Sequence, residues 1–398
     1  MLRSNPCIDS CALTSATFSP AFMTASPLAD DLQPPLPLIV WVFAPHLESA
    51  DPNLDYYNDY SQSRDEYARV FAALGLEWRW ELVTMENVDA TIDRVLRESD
   101  GRTPVVFNLC DGDELNGVPG VSVIRRMNTL GLCYTGACER FYELTTSKIV
   151  MKGAFDAAGV PTPAWEVLSS QVTNASGVLK RLGAPVIVKP AVSAGSMGIT
   201  IKSVVGTAKA LKAEVRQLYD GYHGWNLTGG GVLAESFIVG REFTTFIIGS
   251  FDAPSRRRIY PPVERVFHHA LPATEQFLSF DRLWEIYERE TPIGADEYLW
   301  QYAAAPEALV EQICDVSWAA YAAVDGTGYG RVDLRYDPVS GQLYVLEVNA
   351  QCGISEDENY TSIGAILRFA NRTFRDVISE IIDDALVVRS PLAPVAVS

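Results

Sequence analysis

The sequence predicts an α/β fold of more than one domain. From Leu38 onward, short apolar runs of strand length alternate with longer amphipathic stretches closed by glycine, the pattern of strands separated by helices. Between Arg331 and Asn349, two segments alternate between polar and apolar residues, as paired strands do. At 398 residues the chain is long enough for two or three domains.

The elements follow in order. Residues 1–36 are rich in Ser, Thr, Ala and Pro with one basic residue, Arg3, and lack the basic-then-apolar order of a secretion signal. They are expected to form a flexible extension. LIVWVFA from Leu38 is the first buried strand, Arg64–Leu74 a helix ended by Gly75, and Pro104–Leu109 a second strand. Val121–Leu130 is a helix capped by Gly131, LCYTG a short strand, and a further helix runs from about Thr145 to Ala158, stopped by Gly159 and Pro161. Val186–Pro190 is a strand leading into the small-residue loop AVSAGSMGI. A helix from Thr207 to Tyr219 precedes the strands VLAESFI and REFTTFIIG. Residues 250–305 are poorly patterned and are expected to hold a long loop, Glu307–Val324 is a helix, and the segment from Ile363 to Leu386 is mostly helical.

The hairpin from Arg331 to Asn349 carries the most chemistry. Alternation puts Arg331, Asp333 and Arg335 on one face of the first strand and Val345, Glu347 and Asn349 on one face of the second. Asp337, Pro338, Ser340 and Gly341 supply the turn. Antiparallel pairing would gather two carboxylates, an amide oxygen and a guanidinium on one sheet face, a set suited to magnesium holding a nucleotide's phosphates. Upstream, Lys189 ends a strand and is followed by Ser193, Gly195, Ser196 and Gly198, small residues whose backbone can approach phosphate oxygens. The acidic loop CDGDELNG leaves another strand end, where open α/β sheets place ligands, and offers Asp111 and Asp113 to a substrate.

Composition narrows the partners. A net charge of -18 argues against nucleic acid, and no apolar run approaches the ~20 residues of a membrane span. Seven scattered cysteines without a CxxC pair point to reduced thiols in a cytoplasmic compartment. The adjacent His268 and His269 would face opposite ways on a strand and do not make a zinc site.

Taken together, YTG (134–136), GVPTP (159–163), VIVKPAVSAGSMGI (186–199), LAESFIVGREF (233–243), GRVD (330–333) and LEVNAQCG (346–353) resemble the ATP-grasp superfamily, and within it the D-alanine–D-alanine ligases. The resemblance covers roughly residues 100–385. It implies a three-domain ATP-grasp fold, with boundaries near 37–145, 146–241 and 242–398 and the nucleotide between the last two domains. It implies that Lys148 and Lys189 contact the ATP phosphates, with Ser196 of the small-residue loop also at the nucleotide. Glu235 would meet the adenine amino group, Phe237 and Ile238 the ring edge, and Glu242 the ribose. Asp333, Glu347 and Asn349 would bind two magnesium ions, with manganese able to substitute, and Arg331 would face the transferred group. The implied partners are a carboxylate and an amine substrate, amino acids among them, with relatives commonly homodimers. The implied reaction is amide formation through an acyl phosphate. Other ATP-grasp phosphoryl transfer, kinase-like or carboxylating, and a non-catalytic nucleotide-binding role are the competing readings.

The sequence departs from the family where the substrates would sit. The glycine-rich, glutamate-containing loop after the first strand reads FAPHLESADPNLDYYNDY, and the histidine–glycine stretch after the next strand reads CDGDEL. Gly195 replaces a phosphate-loop serine, and GISEDENYTS follows the last motif, where a serine normally meets a carboxylate. Gly353, Asp357 and Glu358 are therefore substrate candidates. The two carboxylates either favour an amine-bearing partner or face solvent. A product other than D-alanyl-D-alanine is expected. Cys352, beside the site, is read as packing.

Overall fold

The computed structural model describes residues 37–48, 59–284, 290, 297–359 and 361–389. Pro37–Ser398 form one compact unit; the extension 1–36 lies outside the described residues. Three sheets organise the unit.

The first sheet is parallel, in the order β2–β1–β3–β4, from β1 (Leu38–Pro45), β2 (Glu77–Val83), β3 (Thr103–Asn108) and β4 (Cys133–Tyr134). Strand β1 is central and apolar on both faces, as a strand covered on both sides must be. Ile39, Trp41 and Phe43 enter one core while Val40 and Val42 enter another. The reading from sequence passed over β2, EWRWELV, in which charged residues interrupt the apolar ones because the strand lies at a sheet edge. The helices Val88–Glu98 and Glu139–Thr146 were also missed. Gly75, Gly131 and Gly159 close their helices in the left-handed conformation, as the sequence predicts.

The second sheet is antiparallel, β5–β8–β6–β7, made from β5 (Trp165–Leu168), β6 (Val186–Pro190), β7 (Val204–Val205) and β8 (Val232–Ser236). The helices Ala175–Leu182 and Ala208–Asp220 pack on it through Val178, Leu211, Val215 and Leu218. The third sheet runs β12–β11–β9–β13–β14, with β9 at Arg241–Ile248, β11 at Val263–Phe267, β12 at Trp300–Ala304, β13 at Tyr329–Asp337 and β14 at Gln342–Ala350. The short β10 (Arg258–Ile259) pairs with β9. The stretch 250–305, expected to hold a long loop, also supplies three strands. They are only two to five residues long, too short for alternation to stand out. The C-terminal helical segment divides into Ser362–Ala370 and Phe374–Val388, with Asn371 as a left-handed cap between them.

Pairing of β13 with β14 follows the predicted hairpin with one correction. A β-bulge shifts the register after Asp333, so that Asp333 pairs with Glu347 but Leu334 pairs with Val345. The extra residue, Leu346, breaks the alternation, and Val345 turns to the core with Val348 instead of sharing a face with Glu347. No helix among the described residues is long and apolar enough to cross a membrane.

Candidate active site

One face of the third sheet arranges polar side chains in cross-strand rows. Arg265 (β11), Glu242 (β9) and Arg335 (β13) form the first row. Thr244, Asp333 and Glu347 form the second, and Arg331 and Asn349 the third, where the β9 position is the buried apolar Phe246. Side chains of successive strand residues point to opposite faces, so the intervening Phe243, Ile247, Val332, Leu334 and Val348 fill the core behind.

Hydrogen bonds tie the rows together. The Arg331 guanidinium holds Asp333 in bidentate fashion, with Nε 3.1 Å from Oδ1 and Nη2 2.9 Å from Oδ2. Asn349 Nδ2 donates to Asp333 Oδ2 at 2.9 Å, and the Thr244 hydroxyl donates to Oδ1. Burial opposes ionisation of Asp333, but Arg331 and Arg265 hold its carboxyl below the ordinary range. Among the described residues no group of three or more His, Cys, Asp or Glu side chains forms a cage. Two facing carboxylates and an amide oxygen instead fit a hard ion completed by phosphate and water oxygens.

The facing wall comes from the helix Lys148–Ala158 and from β6 and β8. Lys148 Nζ donates to the Ser193 carbonyl at 3.1 Å and lies 3.9 Å from Glu347, between the small-residue loop and the second row. Burial lowers the Lys148 pKa. Lys189 and Glu235, neighbours on paired strands, form an ion pair. A third lysine, Lys152, closes on the other Glu235 oxygen at 2.6 Å, both side chains being only 1% exposed. It also donates to Thr162 Oγ1, whose hydroxyl in turn donates to the Val345 carbonyl. Burial works against both charges of this pair. It pulls Lys152 down, whereas two adjacent ammonium groups outweigh it at Glu235 and hold that carboxyl at about 2. The carboxylate is therefore ionised. Lys152 was not singled out from sequence, although its position four residues after Lys148 puts both on one helix face.

Residues 276–284 lie across the small-residue loop. Ser196 Oγ donates to the Leu278 carbonyl at 3.1 Å, Phe280 N donates to the Ile199 carbonyl at 2.8 Å, and Trp284 Nε1 donates to the Gly195 carbonyl at 3.0 Å. The Ser196 hydroxyl, expected at a phosphate, is thus turned toward this segment. Phe277 meets Phe237 edge-on in a small apolar cluster with Ile187 and Ile199, beside Ile238.

The acidic loop is folded rigidly on itself. Asp113 accepts from the backbone and side chain of Asn116, Glu114 caps the helix Val121–Leu130 by accepting from Gly120 N and Ser122 N, and Tyr142 donates to the Gly112 carbonyl. Asp111 is exposed, and partial desolvation by the protein around it, with Asp113 adding, lifts its carboxyl to about 6. The Cys352 thiol, pushed up to about 12 by burial, lies within electrostatic reach of Arg331, Asp333 and Asp111 alike. Gln351, just past the third-row Asn349, donates to the Asn108 carbonyl, so the start of the acidic loop lies near that end of the cleft. Cys352 is buried among the apolar side chains of the core, the packing position the sequence reading expects for it.

Gln351 sets the acidic loop against the hairpin. Its Oε1 accepts from Ala137 N at 2.9 Å and its Nε2 donates to the Asn108 carbonyl, which joins β14 to the ends of β3 and β4. A Cβ at Gly136 would collide with the Gln351 side chain, which gives the YTG glycine its physical reason.

Loop 353–358 is docked on the helix Ser61–Leu74. Buried Glu66 accepts from Ser355 Oγ at 2.9 Å and from Glu356 N at 3.3 Å, and Arg69 pairs with Glu356. Asp357 accepts from Asn359 N within its own turn, and its carbonyl accepts from the Thr361 hydroxyl; Glu358 lies 3.8 Å from Arg368 at the surface. Local structure thus engages both carboxylates, and the solvent-facing alternative fits Glu358. Gly353 is exposed with open space beside its Cα. His268 and His269 lie just past the end of β11 and not on a strand, so they do not face opposite ways as expected: their rings are tilted with centroids 4.4 Å apart, and Glu297 is 3.8 Å from His268. Residues 49–58, most of the divergent stretch after β1, lie outside the described residues.

The family described as D-ala D-ala ligase C-terminus matches residues 154–383. The chain belongs to the D-alanine–D-alanine ligase family of the ATP-grasp superfamily. Among relatives, the D-alanine–D-alanine ligase of Bordetella petrii is 31% identical over 232 residues, 58% of this chain but only 61% of that protein's length. Those of Gloeobacter violaceus and Bordetella pertussis are 29% and 30% identical, covering 65% and 67% of this chain and 76% and 74% of their own. The fold agrees with the D-alanine–D-alanine ligase of Bacillus anthracis solved with ATP, at a TM-score of 0.60 and 17% identity, over 89% of this chain and 98% of that one. The Coxiella burnetii enzyme gives 0.60 and 15%, over 88% and 96%. The D-alanine–D-alanine ligase family thus accounts for the ATP-grasp architecture read from the motifs.

Proposed function

We propose that this chain is an ADP-forming ligase that joins a carboxylate to an amine through an acyl phosphate, with an amino-acid substrate and a product other than D-alanyl-D-alanine. The observation that carries the reading is the three-row sheet face opposite Lys148 and Lys189. It lines up a ribose-type acceptor (Glu242), a metal-type pair (Asp333 and Glu347) and an anion-facing guanidinium (Arg331) in the order a nucleotide and its transferred phosphoryl group need. Asp333, Glu347 and Asn349 would hold magnesium, which when bound would neutralise phosphate charge.

In the proposed reaction the acid's carboxylate attacks the γ-phosphorus and ADP leaves. The amine then attacks the acyl carbon, and inorganic phosphate departs with the C–O electron pair as the amine loses a proton. Lys148 brings positive charge to the phosphate loop. Arg331, kept in place by its bidentate hold on Asp333, stabilises the oxyanion of the tetrahedral intermediate. The departure from D-alanine rests on the substrate end. Asp111, a carboxylate on a rigid loop, stands where the family motif carries histidine–glycine, and it suits an ammonium-bearing substrate.

The test is magnesium-dependent ADP release screened against single amino acids, amino-acid pairs and small amines, with mass detection. Release that needs two partners, and a product at their summed mass minus water, is expected. ADP release without such a product refutes amide formation, and a D-alanyl-D-alanine product refutes the substrate assignment.

A further inference from the structure

The first row contains a buried arginine whose contacts reach beyond the row. Arg335 is 2% exposed, and its guanidinium serves three segments at once. Nε and Nη2 donate to Glu242 Oε2 at 3.2 and 2.9 Å, Nη1 donates to the Ile238 carbonyl at 2.8 Å, and Nη2 also donates to the Gln276 carbonyl. Its Cζ lies over the Phe237 ring, 4.8 Å from the ring centre. Glu242, Phe237 and Ile238 are the side chains and backbone that the proposed reading gives to the nucleoside, and Gln276 opens the segment that crosses the phosphate loop. A second contact fixes the same turn, since Gly240 packs so closely on the Tyr336 carbonyl that a Cβ there would collide with it.

We propose that Arg335 is the positioning residue of the nucleoside pocket: through one guanidinium it orients Glu242 and the Phe237–Ile238 edge, and it couples the seating of residues 276–284 to nucleotide binding. The physical case is one of geometry and count. A guanidinium has five N–H donors in a fixed plane, which lets it hold a carboxylate edge-on and reach two carbonyls on its other sides. An ammonium in its place keeps the charge but loses that fork. Cross-strand pairing sets the guanidinium beside Glu242, and because the bulge lies between β13 and β14, the register of β13 with β9 that joins Arg335 to Glu242 is undisturbed. Glu242 Oε1 is meanwhile held by Arg265. The carboxylate is thus fixed from both sides, with acceptor capacity left for a hydroxyl. Nucleotide arriving at this edge meets a carboxylate already aimed, and any shift it causes in Arg335 passes directly to the Gln276 carbonyl.

The inference rests on the reading of this cleft as an ATP site, and the experiment separates the two. MgATP binding by calorimetry and amide exchange of the 276–284 peptides would be measured for the whole protein and for Arg335→Lys. The wild type is expected to bind MgATP and to slow exchange in 276–284 when it does. Arg335→Lys should bind about tenfold or more weakly and lose that slowing, while exchange across β1 and β3 stays at the wild-type rate. Phe277→Ala, which removes the edge-on contact with Phe237 and alters no charge, provides the second variant. It should diminish the slowing even if Arg335→Lys does not fold. Binding and slowing equal to wild type in either variant overturns the coupling. A wild type that binds no MgATP overturns the nucleotide reading itself.

Discussion

Lys152→Met tests the electrostatic design of the facing wall. Lys152 and Glu235 are each 1% exposed and 2.6 Å apart, and Lys189 holds the other carboxylate oxygen. Methionine keeps most of the buried stem, so the loss is chiefly charge rather than volume. Breaking a buried ion pair from one side costs about 3–5 kcal/mol because the remaining charge is stranded. Here Lys189 still compensates Glu235, which places the expected loss near the lower figure, about 3 kcal/mol. Urea unfolding at pH 7 should show a lower midpoint at unchanged slope. Adding Glu235→Gln to Lys152→Met should return part of the loss, with a coupling of about 1–2 kcal/mol. The pH dependence has a definite sign. Glu235 is depressed from an ordinary 4.5 to about 2, so its contribution is present above the ordinary value and is lost as pH falls toward 2. The wild-type advantage over Lys152→Met should therefore shrink on acidification through that window. A variant within ~0.5 kcal/mol of wild type at pH 7 would refute the reasoning, since changes that small are typical of surface sites.

Other expectations follow from the same geometry. Asp111 is raised to about 6, so its ionised fraction grows as pH rises through that value. If it holds a substrate ammonium, KM for the amine-bearing substrate falls as pH rises through about 6, and Asp111→Asn flattens that profile; an unchanged inflection removes Asp111 from the substrate. Arg331→Ala should still bind MgATP but lose turnover by about 100-fold or more, and unimpaired turnover would end its catalytic assignment. Glu347→Gln should raise the magnesium concentration needed for half-maximal rate, read directly from a metal titration. Asp357→Asn with Glu358→Gln should leave the substrate profile unchanged, because local contacts already engage both carboxylates; a shifted amine preference would return them to the substrate site.

The elements legible from sequence were those with a strong local signal. The glycine-capped helices, the buried β1 and the Arg331–Asn349 hairpin each carry their period or their stop residue in a single window of chain. Edge strand β2 and the short β10, β11 and β12 carry none, because their pairing is satisfied by distant strands rather than by their own composition.

The same division runs through the site. Sequence by itself determined the donor types and their spacing: Asp333, Glu347 and Asn349 on two strands, Lys189 before a small-residue loop, and Arg331 two residues from Asp333. It also put Arg335 on the face with Arg331 and Asp333. Only the tertiary structure decided which groups meet. It brought Lys152 to Glu235, Arg265 and Arg335 to opposite sides of Glu242, and Glu66 beneath the loop at Ser355, pairs that lie between 23 and 289 residues apart along the chain. Periodicity reports the direction of a side chain within its own strand or helix. Which charge neutralises a buried carboxylate depends on strand register and sheet order, and the penalty for an unpaired buried charge acts only once the chain has closed.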